Sequence, residues 1–129
     1  MSYALSTTVA TPYAETVESV RAALGDQGFG VLTEIDIKAT LKQKLDVDVP
    51  AQIILGACRP PLAHAALQAE PSIGLLLPCN VVVRESEGGT VVEAVDPQTL
   101  VTMTDNPDLQ TVADEAKQRL ESALAALSA

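Results

Sequence analysis

The sequence predicts an α+β domain: one mostly antiparallel or mixed sheet of about five strands, with helices packed against it, in the order β-α-β-α-β-α-β-β-α-α. Three observations support this prediction. Short apolar runs alternate with segments of helical periodicity. A glycine pair at 88–89 joins two apolar runs, as in a β-hairpin. The length of 129 residues suits one hydrophobic core, so we expect residues 1–129 to form a single domain.

The first quarter of the chain predicts a strand followed by a helix. Residues 3–9 (YALSTTV) are rich in β-branched side chains and read as a strand. Thr11 can cap the helix, Pro12 suits its first turn, and Gly28 is a stop signal. The apolar residues that predict its buried face follow one another at intervals of four, three and four: Tyr13, Val17, Val20 and Leu24.

A second strand and a short helix follow. Alternation predicts that one set of side chains faces the core: Phe29, Val31, Thr33 and Ile35. Asp36 caps the next helix, whose narrow apolar stripe consists of Ile37, Leu41 and Leu45. Three lysines lie elsewhere around this helix and indicate a solvated face, with a small anion-binding spot as the alternative: Lys38, Lys42 and Lys44.

The central segment, residues 52–85, holds both cysteines and the single histidine. Its apolar run at 53–55 is typical of a strand covered on both faces. Gly56 narrows that strand, which allows close approach of backbone or of a ligand but more often accommodates a packed helix. Two prolines at 60–61 begin a helix, and Pro71 ends it.

The next segment predicts an antiparallel hairpin. With a two-residue loop made of Gly88 and Gly89, Arg84 lies opposite Glu93. An exposed pair of this kind stabilises by a few tenths to about 1 kcal/mol, so we expect it to help set the register.

The C-terminal third predicts two helices. A short one begins at Asp96 and runs to about Met103, and Asn106 caps a longer one. The long helix carries one apolar stripe, which predicts packing on the sheet: Leu109, Val112, Ala116, Leu120, Ala123, Leu124 and Leu127.

Charge excludes several classes of partner. Eight basic and 17 acidic residues give a net charge of −9, which repels phosphate backbones and anionic lipid, so we expect neither nucleic-acid nor membrane binding. The N-terminal residues lack the basic and apolar regions of a signal peptide, and we expect a soluble cytoplasmic protein with free thiols. No cofactor is expected.

The scarcity of aromatic residues bears on assembly. Aromatics make up 2% of the chain, so small aliphatic side chains must fill the core. Because these bury less area than rings, a domain of this size gains from association, and we expect a homodimer.

Cys58, His64 and Cys79 are the candidate metal ligands. Such a set suits zinc or copper, although the spacing is not that of paired C-x-x-C motifs. Their convergence depends on strand order. Antiparallel neighbours place the cysteines at one end of the sheet, whereas a parallel crossover places them on the order of 20 Å apart.

Cys58 and His64 form a second candidate, because both lie near the start of one helix. Partial positive charge there favours a thiolate, which makes Cys58 a redox or nucleophilic candidate. The structural alternative is a buried cysteine and a histidine bonded to a carbonyl. A ligand pocket near residues 56–64 and 78–80 would add Cys79 and Asn80.

Two runs carry a family resemblance: GFGVLTEIDIKATLKQKLDVD and ILGACRPPLAHAALQAEPSIGLLLPCNVVVRE. With the glycine hairpin and VVEAVDP, they resemble the domain of unknown function 302 family over nearly the whole chain. The most specific parts are GAC-x-P-P-x-A-H at 56–64 and LLPCNVVV at 76–83. The resemblance implies a small dimeric α+β domain and no particular reaction.

Three functions remain open. The first is a small dimeric domain, not an enzyme, that binds a small molecule or another protein. The second is a thiol-dependent redox or metal-binding protein that uses Cys58, His64 and Cys79. The third is a small enzyme whose catalytic residues and substrate are unknown, for which lone acids are available: Glu34, Asp36, Glu70 and Glu85.

Overall fold

The chain forms an antiparallel sheet with its two longest helices packed against one face, in a computed structural model that describes residues 3–128. The strands are β1 (Ala4–Val9), β2 (Gly30–Asp36), β3 (Gln52–Cys58), β4 (Cys79–Ser86) and β5 (Gly89–Val95). The helices are α1 (Tyr13–Asp26), α2 (Ile37–Leu45), α3 (Pro60–Ala69), α4 (Gln98–Thr104) and α5 (Gln110–Leu127). Short 3₁₀ turns occupy Pro71–Leu76 and Pro107–Leu109.

The strand order is β1-β5-β4-β3-β2, and each neighbouring pair is antiparallel. The α+β class and the order of the main elements are therefore as predicted. Because β3 and β4 are antiparallel neighbours, α3 is not a parallel crossover. Cys58 and Cys79 consequently lie at the same end of the sheet.

The main core lies between the sheet and the two longest helices, α1 and α5. Residues at its centre, such as Leu55, Val83 and Val92, are fully buried. Full burial of one such side chain stabilises the fold by roughly 1.5–3 kcal/mol. Aliphatic residues and Phe29 fill this core, as the composition predicts.

A second apolar group, here called the side cluster, lies beside the main core. Its buried members are Ala66, Ile73, Leu100 and Leu109. These residues come from α3, α4 and the two 3₁₀ turns, so short elements build the whole group. The turn at Pro71–Leu76 was not predicted beyond the helix-ending role of Pro71.

The predicted facing of β2 is wrong in its second half. The pairing with β3 shifts register between Val31 and Thr33, which marks a bulge at Leu32. An extra residue reverses the face of every side chain that follows it. Phe29 therefore enters the main core as predicted, whereas Thr33 is exposed and Ile35 is 48% exposed.

The hairpin register is also wrong. Ser86 pairs with Gly89, so the loop consists of residues 87–88 rather than the two glycines. Val82 lies opposite Glu93, and Arg84 lies two pairs further along the ladder, opposite Val91. The predicted ion pair still forms on the diagonal, with 3.1 Å between Arg84 Nε and Glu93 Oε1.

The helix caps give a mixed result. Asp36 accepts a hydrogen bond from the Ala39 N–H and caps α2 as predicted. Thr11 does not cap α1, because its hydroxyl lies 2.6 Å from the Thr16 hydroxyl instead. Asn106 caps the 3₁₀ turn that leads into α5, through the Asp108 N–H.

The main core covers one face of the sheet, and Ile54 on the other face of β3 is only half-buried, so β3 is not covered equally on both faces as its apolar run predicted. This other face is here called the open face. Its central row runs from Ile35 through Ile54 and Val82 to Glu93. Ile54 and Val82 are only half-buried. Within residues 3–128, no helix is both long and apolar enough to cross a membrane.

Candidate functional site

An apolar cleft lies where the main core meets the side cluster. The cleft is narrow, with a cavity volume of about 30 Å³. Both cysteines, Pro78 and Arg59 line it. Among the lining residues that the structure describes, Arg59 is the one with a charged side chain. The other lining residues are apolar: Phe29, Ala57, Leu62, Ala63, Ala66, Leu77, Leu100, Val112 and Ala116.

Adjacent antiparallel strands bring the two cysteines to this cleft. Cys79 is paired with Ala57, the neighbour of Cys58 in the chain. Both thiols are free and both residues are half-buried. Burial, and secondarily the nearby Cys58, raises the pKa of the Cys79 thiol to about 11. Cys79 is therefore protonated at neutral pH and is a poor nucleophile.

The start of α3 lacks the donors that would hold a thiolate. Pro60 and Pro61 occupy its first two positions and have no N–H group. The next two amides, of Leu62 and Ala63, both donate to the Arg59 carbonyl at 3.0 Å. The helix start therefore presents no free backbone donor to Cys58.

His64 does not join the cysteines. It is exposed on α3 and is absent from the cleft wall. Successive helical residues lie about 100° apart, so His64 is rotated away from the face on which Ala63 and Ala66 line the cleft. Among residues 3–128, no three His, Cys, Asp or Glu side chains are close enough to hold a metal ion. The predicted three-ligand arrangement is therefore not assembled.

Asn80 lies apart from the cleft wall. Strand side chains alternate, so Asn80 projects from the face of β4 opposite to Cys79. It is exposed and borders a shallow depression on the open face, together with Tyr3, Val82 and Glu93.

The prediction missed Arg59, the lining residue with the most distinctive chemistry. Its Nη1 lies 3.5 Å from Glu115 Oε2, and the Arg119 Nε lies closer to the same oxygen, at 2.9 Å. The Arg59 Nε is buried and has no hydrogen-bond partner among the described residues. The available signal was in the sequence, since Arg59 is the sole Lys or Arg between Lys44 and Arg84.

Two glycines shape the surroundings of the cleft. Gly28 has a φ of +82°, and a Cβ there would lie 3.0 Å from the Arg59 Nε, so the glycine lets the arginine pack against the backbone. At Gly56 a Cβ would lie 2.1 Å from Thr33 Oγ1 and 2.8 Å from Pro78 Cγ. The space at Gly56 is therefore filled by side chains of β2 and of the residue before β4, rather than by the packed helix or the ligand that the sequence suggested.

The four lone acids all have structural partners. Glu34 pairs with Arg21, and Asp36 caps α2. Glu70 accepts a hydrogen bond from Asn106 Nδ2 at 2.9 Å, and Glu85 accepts one from the Ala51 N–H at 3.0 Å. Each carboxylate is thus engaged in holding the fold, and none of them lines the cleft.

The fold and the cleft define a small α+β domain with one helical layer and an apolar recess at the end of its sheet. The chain belongs to the family described as domain of unknown function DUF302, whose model matches residues 5–127. It is similar to an uncharacterized conserved DUF302 protein from Bacillus stearothermophilus, known from a crystal structure. That chain is 30% identical, with a TM-score of 0.91 over 98% of this chain and 99% of that one. No curated protein matches the chain.

Proposed function

We propose that the protein is a cytoplasmic, homodimeric ligand-binding domain whose site is the apolar cleft. One observation carries this proposal: the cleft is lined by both cysteines and Pro78, which lie where the sequence placed a pocket. Ligand sites in proteins are concave and mostly apolar, with a few polar groups that fix orientation. Arg59 supplies such a group here.

The size of the lining residues supports a small ligand. Four alanines form part of the wall, namely Ala57, Ala63, Ala66 and Ala116. Small side chains leave a narrow recess between the strands, α3 and α5. A short apolar group that enters it would be removed from water, which stabilises the complex in proportion to the apolar area buried.

The open face supports the dimer. Ile54 and Val82 at its centre are half-buried, and Ile35 at its edge is 48% exposed. The apolar run of β3 suits a strand with both faces covered, and a second copy stacked on the open face would cover them. Arg84 and Glu93 on the same face already neutralise each other at 3.1 Å.

The thiol-dependent alternative receives less support. The Cys79 thiol has a raised pKa, and α3 offers Cys58 no free backbone donor. His64 is absent from the cleft wall. Hydrogen-bond donors stabilise a reactive thiolate, and neither the start of α3 nor His64 supplies one here.

The cleft is tested with a neutral apolar probe, hexanamide, followed through amide chemical shifts by NMR. We expect shifts confined to residues around the cleft. Ala63→Leu should fill the recess and weaken binding by about tenfold, which corresponds to about 1.4 kcal/mol. Ala65→Leu is the matched control, because Ala65 is half-buried on the same helix and does not line the cleft. Absence of cleft shifts in the unmutated protein, with hexanamide and with the corresponding acid, would overturn the proposal.

The dimer is tested by light scattering at micromolar concentration. We expect twice the 13.5 kDa chain mass. Ile35→Glu should shift the protein to monomer, because it places charge on the open face. Leu67→Glu is the control, since Leu67 is similarly exposed, at 44%, but lies on α3. A monomer mass for the unmutated protein would refute the dimer.

A further inference from the structure

We infer that the ligand of this cleft is a short apolar carboxylic acid, bound as its carboxylate at Arg59 with its chain along the alanine-lined wall. This inference rests on the proposed function and adds the chemical class of the ligand. It follows from the charge around Arg59, from its unpaired donor and from the form of the α3 start.

The charge around Arg59 favours an anion. Two guanidinium groups, Arg59 and Arg119, share the single carboxylate of Glu115. The shorter contact, 2.9 Å, is made by Arg119, while Arg59 lies at 3.5 Å. One positive charge in this group of three is therefore left without a matching negative charge. It lies beside an apolar recess, where an ion pair is screened less than in water.

Arg59 also has an unused hydrogen-bond donor. Its side chain is 22% exposed, and its Nε is buried without a partner in the described chain. A buried donor without an acceptor is unfavourable. This Nε lies against Gly28, so a ligand in the cleft meets the outer nitrogens of the guanidinium group. A carboxylate matches that planar group best, because two parallel N–H···O bonds can form to the two Nη atoms.

The start of α3 distinguishes a carboxylate from a phosphate. Phosphate sites at helix starts use several free backbone N–H groups. Here Pro60 and Pro61 have none, and the Leu62 and Ala63 amides are bonded to the Arg59 carbonyl. One arginine without backbone donors suits a monoanion with two oxygens. The apolar wall beside it suits a short hydrocarbon chain.

The experiment compares hexanoate with hexanamide, which has the same chain and no charge, by titration at pH 7. We expect hexanoate to bind about tenfold or more tightly than hexanamide, as charge-assisted hydrogen bonds are stronger than neutral ones. Arg59→Met should abolish this preference, so that hexanoate and hexanamide bind the variant with similar affinity. Arg21→Met is the control, because Arg21 lies on α1, is equally a partner of carboxylates and does not line the cleft.

The outcomes separate the two proposals. Equal binding of hexanoate and hexanamide by the unmutated protein overturns the carboxylate inference and leaves the proposed function standing. Binding of neither compound overturns the proposed function. If Arg59→Met still prefers hexanoate, Arg59 does not bind the carboxylate. This comparison requires only that the variant folds. The comparison of the two ligands on the unmutated protein needs no variant at all.

Discussion

The main core and the side cluster are built differently, although both are apolar. In the main core, fully buried residues such as Leu55 and Val92 lie on long, hydrogen-bonded strands and pack against helices of 14 and 18 residues. The side cluster consists of helices of 10 and 7 residues with 3₁₀ turns. Within the described chain, α3 packs chiefly on α5 and the two turns. From this difference we expect the main core to be the more stable scaffold and the side cluster to open locally at a lower free energy.

Specific polar contacts hold the side cluster. Asn106 Nδ2 donates to the Ala69 carbonyl at 3.0 Å and to Glu70 at 2.9 Å. Asp96 connects the end of β5 to α5 through Lys117, with 3.2 Å between the charged atoms. The cleft lies at the boundary between the two regions, so its width depends on how firmly α3 is held.

The largest expected effect comes from truncating the main core. Leu55→Ala should lower the free energy of unfolding by about 2–5 kcal/mol, because it removes a fully buried side chain and leaves a cavity. Ile73→Ala in the side cluster removes a side chain of the same size at 1% exposure. We expect a smaller loss there, since local opening limits the contribution of that region to global stability. If chemical denaturation showed equal losses of unfolding free energy for the two variants, the proposed difference between the main core and the side cluster would be wrong.

The second prediction concerns the effect of Cys79, in the cleft between the two regions, on the pH dependence of stability. The pKa of Cys79 is raised to about 11 in the folded protein, above its ordinary value of 9.0. The unfolded chain therefore loses this proton first, and the stabilising contribution is present below pH 9 and is lost as the pH rises to about 11. The full loss is about 2–3 kcal/mol, at roughly 1.4 kcal/mol for each pKa unit.

The Cys79→Ala variant isolates this pH effect. Its free energy of unfolding should fall less between pH 9 and pH 11 than that of the unmutated protein, because the titrating thiol is gone. Cys58→Ala is the control at the other thiol and should retain the steeper fall. Parallel stability curves for Cys79→Ala and the unmutated protein would contradict the buried position of Cys79.

A third and smaller effect is expected when the hydrogen bonds that Asn106 makes to the side cluster are removed. Asn106→Ala loses the bonds to Ala69 and Glu70 and the cap at Asp108, at about 1–2 kcal/mol in local stability. Hydrogen exchange should accelerate in α3 and at 71–76 while β3 and β4 stay unchanged. Gln110→Ala, which removes exposed side-chain bonds only, should change neither region. Acceleration throughout the sheet would show that the two regions open together.

The smallest effect is expected at His64. This side chain is exposed and is absent from the cleft wall, so His64→Ala should change stability by less than about 0.5 kcal/mol. Hexanamide binding should also stay the same. A marked loss of hexanamide binding would show that His64 contributes to the site and would contradict the orientation described for α3.

Much of the fold was predictable because local patterns agree with it. The spacing of Val17, Val20 and Leu24 gives the buried face of α1, and the cap at Asp36 gives the start of α2. The bulge at Leu32 was not predictable, because no glycine or proline marks it. The hairpin loop was missed by one residue, since Gly88 and Gly89 both fit a tight turn and only the pairing with β1 and β4 decides between registers.

The candidate site was predicted in part. Cys58 and Cys79 reach the same cleft because β3 and β4 are antiparallel neighbours, which the sequence left open. His64 was misplaced because one residue along a helix rotates the side chain by about 100°. Arg59 was missed because its role depends on Gly28 and Glu115, which are distant in the chain.

The most direct test of a rigid scaffold beside an adjustable site is native-state hydrogen exchange, with and without saturating hexanoate. We predict that amides of α3 and α4 exchange through openings of lower free energy than those of β3, β4 and β5. Bound hexanoate should slow exchange most strongly in α3 and α4. If all these elements opened with the same free energy, the division of the molecule into two regions would be wrong. If hexanoate left exchange in α3 unchanged, the proposed ligand site would be wrong.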